Sequence, residues 1–271
     1  MASLTAGTGV WVYAICADID DGRLSGVVGV DREPVRAVRA AGLTAVVGSV
    51  PLTEFGEEGL PRNLNDLARL ESIARAHHRV VEIVADHGPA VPTRLATVYQ
   101  DTDRIAGMLA RRHDDFIAAL GRVARRREWG VKVYGDRPEP ATAVTPPLGA
   151  SPGSPGAGTA YLRDRRQQLA DRDVSHRTAL AAAEAVHADL SGHAVAARRH
   201  RPQDPQLRGE SRWMVLNGAY LVDDDIAEAF AVAVAACADR YRDVTIESTG
   251  PWPPYSFADI EDDADLTQGP L

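Results

Sequence analysis

Few side chains in this sequence are spaced for chemistry. The best group of metal-type ligands is His77-His78 with Glu71 and Glu82, all on one expected helix. His78 and Glu82 stand one turn apart, which an ion can bridge, but adjacent helical residues point about 100° apart, so only one histidine can join. No His-Glu-x-x-His motif accompanies them. His113-Asp114-Asp115 and the pair His193 and His200 read as exposed helix faces. The run Asp223-Asp224-Asp225 has the composition of a cation site, yet a helix N-terminus favours carboxylates on electrostatic grounds alone. Gly22, Gly26 and Gly29 lack the spacing and setting of a dinucleotide fingerprint, and no Gly-x-x-x-x-Gly-Lys loop exists. There is no Gly-x-Ser-x-Gly elbow, and Ser175 beside His176 is an adjacency of chance weight. Cys16 and Cys237 stand outside any Cys-x-x-Cys pair and fall on apolar faces, as small core residues do. The expectation is no metal, no cofactor and no catalytic set, hence no enzyme.

What the sequence offers instead is an aromatic segment, Gly250-Pro251-Trp252-Pro253-Pro254-Tyr255-Ser256-Phe257. It follows residues 243–249, where Val244 and Ile246 alternate with Thr245 and Glu247 as in a half-buried strand. The prolines are expected to end the pairing and hold the backbone extended. Rings on a stiffened segment lose little entropy on docking. Two readings stay open: a C-terminal strap closing the core, or a patch for a partner. The candidate partner-binding residues are Trp252, Tyr255 and Phe257, with Trp213 beneath or beside them.

The elements that must carry these residues follow from periodicity. Residues 10–17 read as an interior strand, with Val10, Val12, Ala14 and Cys16 on one face and Trp11, Tyr13 and Ile15 on the other. Residues 27–30 are a short strand candidate, 34–41 a short helix or flanking loop, and 43–50 a second strong strand. A helix after Pro61, capped by Asn63 or Asn65, carries an apolar stripe of Leu67, Leu70, Ile73, Ala74, Val80, Val81 and Val84 and ends near Gly88. A strand over 91–99 is followed by one helix from Thr102 or Asp103 that ends in the solvated run Arg125-Arg126-Arg127. After a strand at 130–134, residues 136–158 form a proline-rich loop. A long helix over 159–199 follows, with a candidate break at Val174-Ser175. A strand over 212–222, a helix opened by an Asp225–Glu228 capping box, and the strand at 243–249 complete the fold. Residues 259–271 are acidic and expected to be a disordered tail.

The chain has 271 residues, 45% hydrophobic and 25% charged, a globular composition long enough for two domains. No apolar run approaches the roughly 20 residues that span a bilayer. No basic region followed by an apolar core opens the chain, so a cytoplasmic location is expected. The net charge of −8 disfavours phosphate backbones, and neither a nucleic acid nor a membrane is an expected partner. The first half reads β-β-α-β-α and the second β-α-β-α-β, consistent with α+β layers bearing helices on one face.

The ordered landmarks resemble those of the gas vesicle protein F/L family (GvpF/GvpL). They are the aromatic first strand at 11–15, Pro-Thr-Arg-Leu-Ala-Thr-Val-Tyr at 92–99, Glu-Trp-Gly-Val-Lys-Val-Tyr at 128–134, Gly158 to Arg163, and the aromatic segment at 250–257. One departure stands out: Leu95 and Ala96 replace the family's Phe-Gly pair. The resemblance implies a ferredoxin-like N-terminal domain over residues 1–127 and a second α+β domain with long helices over 128–258. It also implies a role in gas vesicle assembly, with the small hydrophobic shell protein and other gas vesicle accessory proteins as partners. Some members are minor vesicle components. A small-molecule sensor or enzyme on paired ferredoxin-like domains is the alternative, which a deep polar pocket would favour.

Overall fold

A computed structural model describes residues 7–136, 157–202 and 212–258 of the chain. The proline-rich loop and the acidic tail expected from sequence fall on residues almost wholly outside these. In chain order the elements are β1 (Thr8–Cys16), α1 (Asp21–Leu24), β2 (Val35–Ala40), β3 (Leu43–Pro51), α2 (Leu52–Phe55), α3 (Leu60–Asn65) and α4 (Leu67–His87). Then come β4 (Ala90–Pro92), β5 (Val98–Tyr99), α5 (Thr102–Arg111), α6 (His113–Val123), β6 (Arg126–Asp136), α7 (Ala157–Ser191), β7 (Ala196–Arg199), β8 (Arg212–Asp223), α8 (Ala227–Arg240) and β9 (Val244–Trp252). The chain divides into two compact units: Met1–Glu128 with Pro251–Leu271, and Trp129–Gly250.

The first unit is built on the sheet order β2-β3-β1-β4, with β5 also paired to β1. Every pairing is antiparallel, which is the ferredoxin-like order. β1 is interior, as its two apolar faces predict, but its faces do not alternate throughout. A bulge at Tyr13 between Val12 and Ala14 breaks the register. Trp11, Tyr13, Ala14 and Cys16 therefore share one face, packed with Ile73, Val80, Val81 and Val84 of α4. Val10, Val12 and Ile15 take the other, against Ile105 and Leu109 of α5 and Phe116 and Leu120 of α6. Helices thus cover both faces of this sheet, where the sequence suggested one.

Several local expectations change for identifiable reasons. Residues 35–40 are strand, not helix, because Ala41 and Gly42, at φ 51° and 75°, make the tight primed turn that pairs Ala40 with Leu43. Residues 27–30 supply one bridge, Val28 to Pro34, followed by the 3-10 turn Val30–Arg32. The cap of α4 is Asp66, whose carboxylate accepts from the Arg69 N–H at 3.1 Å, and Leu67 is 78% exposed rather than in the stripe. The strand expected over 91–99 is interrupted where Ala96 adopts φ 68°. The helix after Asp101 is two helices, bent at Arg112, where φ is −111° and ψ 22°. Arg125, at φ 56°, ends α6, so Arg126 and Arg127 open β6 instead of extending a helix.

The second unit carries the sheet order β7-β8-β6-β9. Its helix α7 runs unbroken through Val174-Ser175 for 35 residues and stops at Ser191; Ala196–Arg199 is a strand, not helix. It packs by small side chains, with Ala179, Ala182, Ala183, Val186 and Leu190 buried beside Phe230, Val234 and Cys237 of α8. A 3-10 turn, Asp224–Ile226, leads into α8, whose N-cap residue Ile226 makes no side-chain cap. β9 continues through Pro251 to Trp252, because it lies at the edge of its sheet, where a missing N–H is tolerated.

Candidate interaction site

The aromatic segment at the end of β9 belongs to the first unit, where it docks on α4. Pro253, Pro254 and Phe257 are buried, and Phe257 is only 2% exposed. The backbone is pinned from both sides. The Ser256 N–H and hydroxyl donate to the two Glu128 carboxylate oxygens at 2.7 and 2.6 Å. Arg122 Nε–H donates to the Phe257 carbonyl at 3.2 Å.

Adjacent histidines on α4 receive this strap in different ways, because they point to different sides of the helix. His77 continues the buried stripe of Ile73, Val80, Val81 and Val84 and is 3% exposed. Its Nδ1 accepts a hydrogen bond from Trp11 Nε1–H at 3.0 Å. The ring proton must therefore sit on Nε2, which is buried and has no hydrogen-bond partner among the described residues. Burial pushes the His77 pKa down to about 4, so the ring is neutral. His78 is half-buried, with Nδ1 3.2 Å from the Tyr255 hydroxyl and Nε2 3.3 Å from Glu82. In the tautomer that turns the Nε2 proton to Glu82, Nδ1 accepts from Tyr255. Burial raises the Tyr255 pKa, which keeps that hydroxyl a donor.

Trp252 sets its edge against the His78 ring at 5.3 Å and stays 39% exposed. Tyr255 tilts against both histidine rings, at 6.4 and 5.9 Å. The structure thus brings three of the four sequence candidates onto one strap and gives them different surroundings: Phe257 in the core, Tyr255 half-buried, Trp252 at the surface. Trp213 lies in the second unit, stacked on His176 at 4.2 Å with the rings 19° apart. His77 also supports the strap, a role its sequence setting does not announce as such. Its place in the i, i+3, i+4 series with Ile73, Val80 and Val81 signals its burial. Among the described residues no group of three or more histidine, cysteine or acidic side chains is placed to hold a metal ion. Among the same residues no helix is long and apolar enough to cross a membrane.

The fold has counterparts in known proteins. Crystal structures of the gas vesicle protein GvpF from Anabaena sp. PCC7120 and from Microcystis aeruginosa superpose with TM-scores of 0.67 and 0.63. Each is 18% identical in sequence; the first alignment covers 94% of this chain and 98% of that one, the second 93% and 99%. At that identity the likeness is one of fold. Gas vesicle protein L of Streptomyces sp. (strain CB03234) is 38% identical over 95% of this chain and 96% of its own length. Gas vesicle protein F of the same strain is 26% identical over 86% and 92%. The model of the family described as gas vesicle synthesis protein GvpL/GvpF matches residues 9–259, from the first strand through the docked strap. An alignment of that extent leaves only the two ends of the sequence outside it, and the chain belongs to the GvpL/GvpF family of gas vesicle synthesis proteins.

Proposed function

We propose that this protein binds the small hydrophobic shell protein of the gas vesicle in the cytoplasm and assists nucleation or assembly of the vesicle, together with other accessory proteins. It is read as a binding protein rather than an enzyme. Family membership supports the gas vesicle role. The observation that carries the contact is Trp252: a large ring held at the surface by a strap whose neighbours Pro253, Pro254 and Phe257 are buried. A ring on so anchored a backbone has little freedom left to lose, which is what a contact residue needs. A shell subunit that aggregates when uncovered calls for a partner with apolar surface and no chemistry.

The test is co-expression with the shell protein of the same gene cluster, followed by affinity capture of this chain in moderate salt. Soluble co-capture, with the shell protein sedimenting when expressed alone, is the expected result. Trp252→Ala should cost about 1 kcal/mol of stability, the order of one exposed aromatic pair, and abolish capture. A folded Trp252→Ala variant that captures as well as the parent would remove the strap from the contact. Capture by neither chain would remove direct binding of the shell protein.

A further inference from the structure

The first unit leaves a space that its strand order would otherwise close. Its crossover from β1 to β2 contains only the four-residue α1 and the turn Val30–Arg32, so little lies beside α4 on that face. What remains is a concavity of about 620 Å³, with Arg32 on the crossover side, Arg69, Arg75 and Arg79 on α4, and Ile73 and Ala76 between them. That volume is in the range of sites that hold small ligands or peptide segments. Four guanidinium groups against a single carboxylate, Asp31, line this concavity, in a chain whose net charge is −8.

The four arginines are not equally engaged. Arg69 reaches both Asp31 and Glu54, the latter at 2.8 Å, which holds the crossover against the helix. Arg75 pairs with Glu71 one turn away at an exposed position, an interaction that exchanges readily. Arg32 and Arg79 are exposed and, among the described residues, have no carboxylate partner. Asp31 and Arg32 occupy consecutive left-handed conformations, φ 57° and 61°, which turn the chain so that Arg32 lines the concavity from the side opposite the helix.

We propose that this concavity is a docking site for a short, extended acidic segment of a partner protein, with carboxylates on alternate residues. Arg69 to Arg79 span about 15 Å of helix axis at 1.5 Å per residue. An extended peptide covers that distance in about five residues, and its same-side carboxylates recur about every 7 Å. A single phosphate would meet one or two of these guanidinium groups and leave the rest unfilled, while planar carboxylates match each fork in turn. The proposal does not depend on the shell-protein contact at Trp252.

The test uses the full chain and a fluorescein-labelled pentapeptide alternating glutamate and alanine, read by fluorescence anisotropy at low and moderate salt. Binding should weaken with salt. The double variant Arg32→Glu/Arg79→Glu should bind about tenfold more weakly, the sum of two part-exposed charge pairs. Arg172→Glu, an equal change of charge per site on exposed α7, should bind as the parent does. Circular dichroism checks the fold, and Arg32→Gln/Arg79→Gln replaces the reversal if that variant is unfolded. The glutamine version of the peptide should not bind. Absence of parent binding, equal loss in Arg172→Glu, binding of the glutamine peptide, or displacement by equimolar inorganic phosphate or by an oligonucleotide would each overturn the proposal.

Discussion

In the second unit the sheet β7-β8-β6-β9 is covered by two long helices, α7 of 35 residues and α8 of 14. In the first, the same succession of strand, crossover, strand, strand, crossover, strand is covered on that side by one long helix, α4 of 21 residues, and a crossover helix of four. The shortage is made up from elsewhere. Tyr13 accepts a hydrogen bond from the Val30 N–H at 2.8 Å, drawing the crossover turn onto the sheet. Gly29 permits this approach, since a Cβ there would lie 2.0 Å from the phenol oxygen. The strap then adds Tyr255. The same strand order is thus closed by regular elements in one unit and by turns and a returning segment in the other. All five described non-glycine residues with positive φ, at positions 31, 32, 41, 96 and 125, fall in the first unit. Such conformations persist where surrounding contacts enforce them, and they mark where the chain departs from regular packing.

The largest effect expected from this contrast is at Phe257. Truncation to alanine removes a ring that is 2% exposed and should destabilise by about 3–5 kcal/mol, the usual cost of deleting a buried aromatic. The comparison predicts where that cost appears. Hydrogen exchange should rise in β1, α4 and α6 of the first unit, while the amides of α7 and α8 keep their protection. Uniform loss of protection across both units would show that the strap does not close the first unit in particular.

Each unit also places a crossover-helix histidine against a sheet aromatic: His77 with Trp11, and His187 with Tyr220 at 2.8 Å. The first is buried and the second half-buried, and burial depresses both pKa values, with the Arg199 charge adding to the second. A depressed base is neutral in the folded state and protonates more readily when unfolded. Its stabilisation is complete above the unfolded value near 6.5 and is lost as pH falls towards 4. For His77 this amounts to about 3 kcal/mol over that window, about 2 kcal/mol of it by pH 5. Urea unfolding at pH 7 and pH 5 should show this loss in the parent and its absence in His77→Gln. His187→Gln should leave the loss nearly unchanged. An equal pH response in parent and His77→Gln would mean that His77 is not the buried neutral base described.

Much of this architecture was legible in periodicity. The interior nature of β1, the stripe of α4, the apolar side of α5 and α6, and the strands around Val46 and Leu216 follow from residue spacing alone. What was not legible was local conformation enforced by tertiary contact. The bulge at Tyr13 keeps an apolar pattern but moves Ala14 and Cys16 to the other face. Leu67 fits the apolar period yet is exposed, because the cap at Asp66 starts the helix before it reaches the sheet. Trp252, Tyr255 and Phe257 were recognisable as a docking segment, but three identical aromatic signals end in three environments. Sequence order places the segment after a strand of the second sheet, and only its carboxylate and histidine partners identify the surface it meets.

The smallest predicted effect tests whether the irregularity of the first unit carries strain. Ala96 has a φ of 68°, in the region that favours glycine. An L-residue there loses about 1–2 kcal/mol to Cβ crowding, partly offset by the greater freedom glycine has in the unfolded chain. Ala96→Gly should therefore stabilise by about 0.5–1 kcal/mol, read as a higher urea midpoint at constant slope. Its neighbour Thr97 holds the turn by donating its hydroxyl to the Arg94 carbonyl at 2.8 Å, and its N–H to the same carbonyl, so the conformation is set by this hydrogen bonding and not by the methyl group. Glycine can then occupy the turn without altering it, and β4 and β5 keep their pairing to β1. A destabilised Ala96→Gly would mean that the methyl group, half-buried against the core that contains Trp11, contributes more packing than the backbone loses. In that case the irregular closure of the first unit is less strained than its dihedral angles suggest.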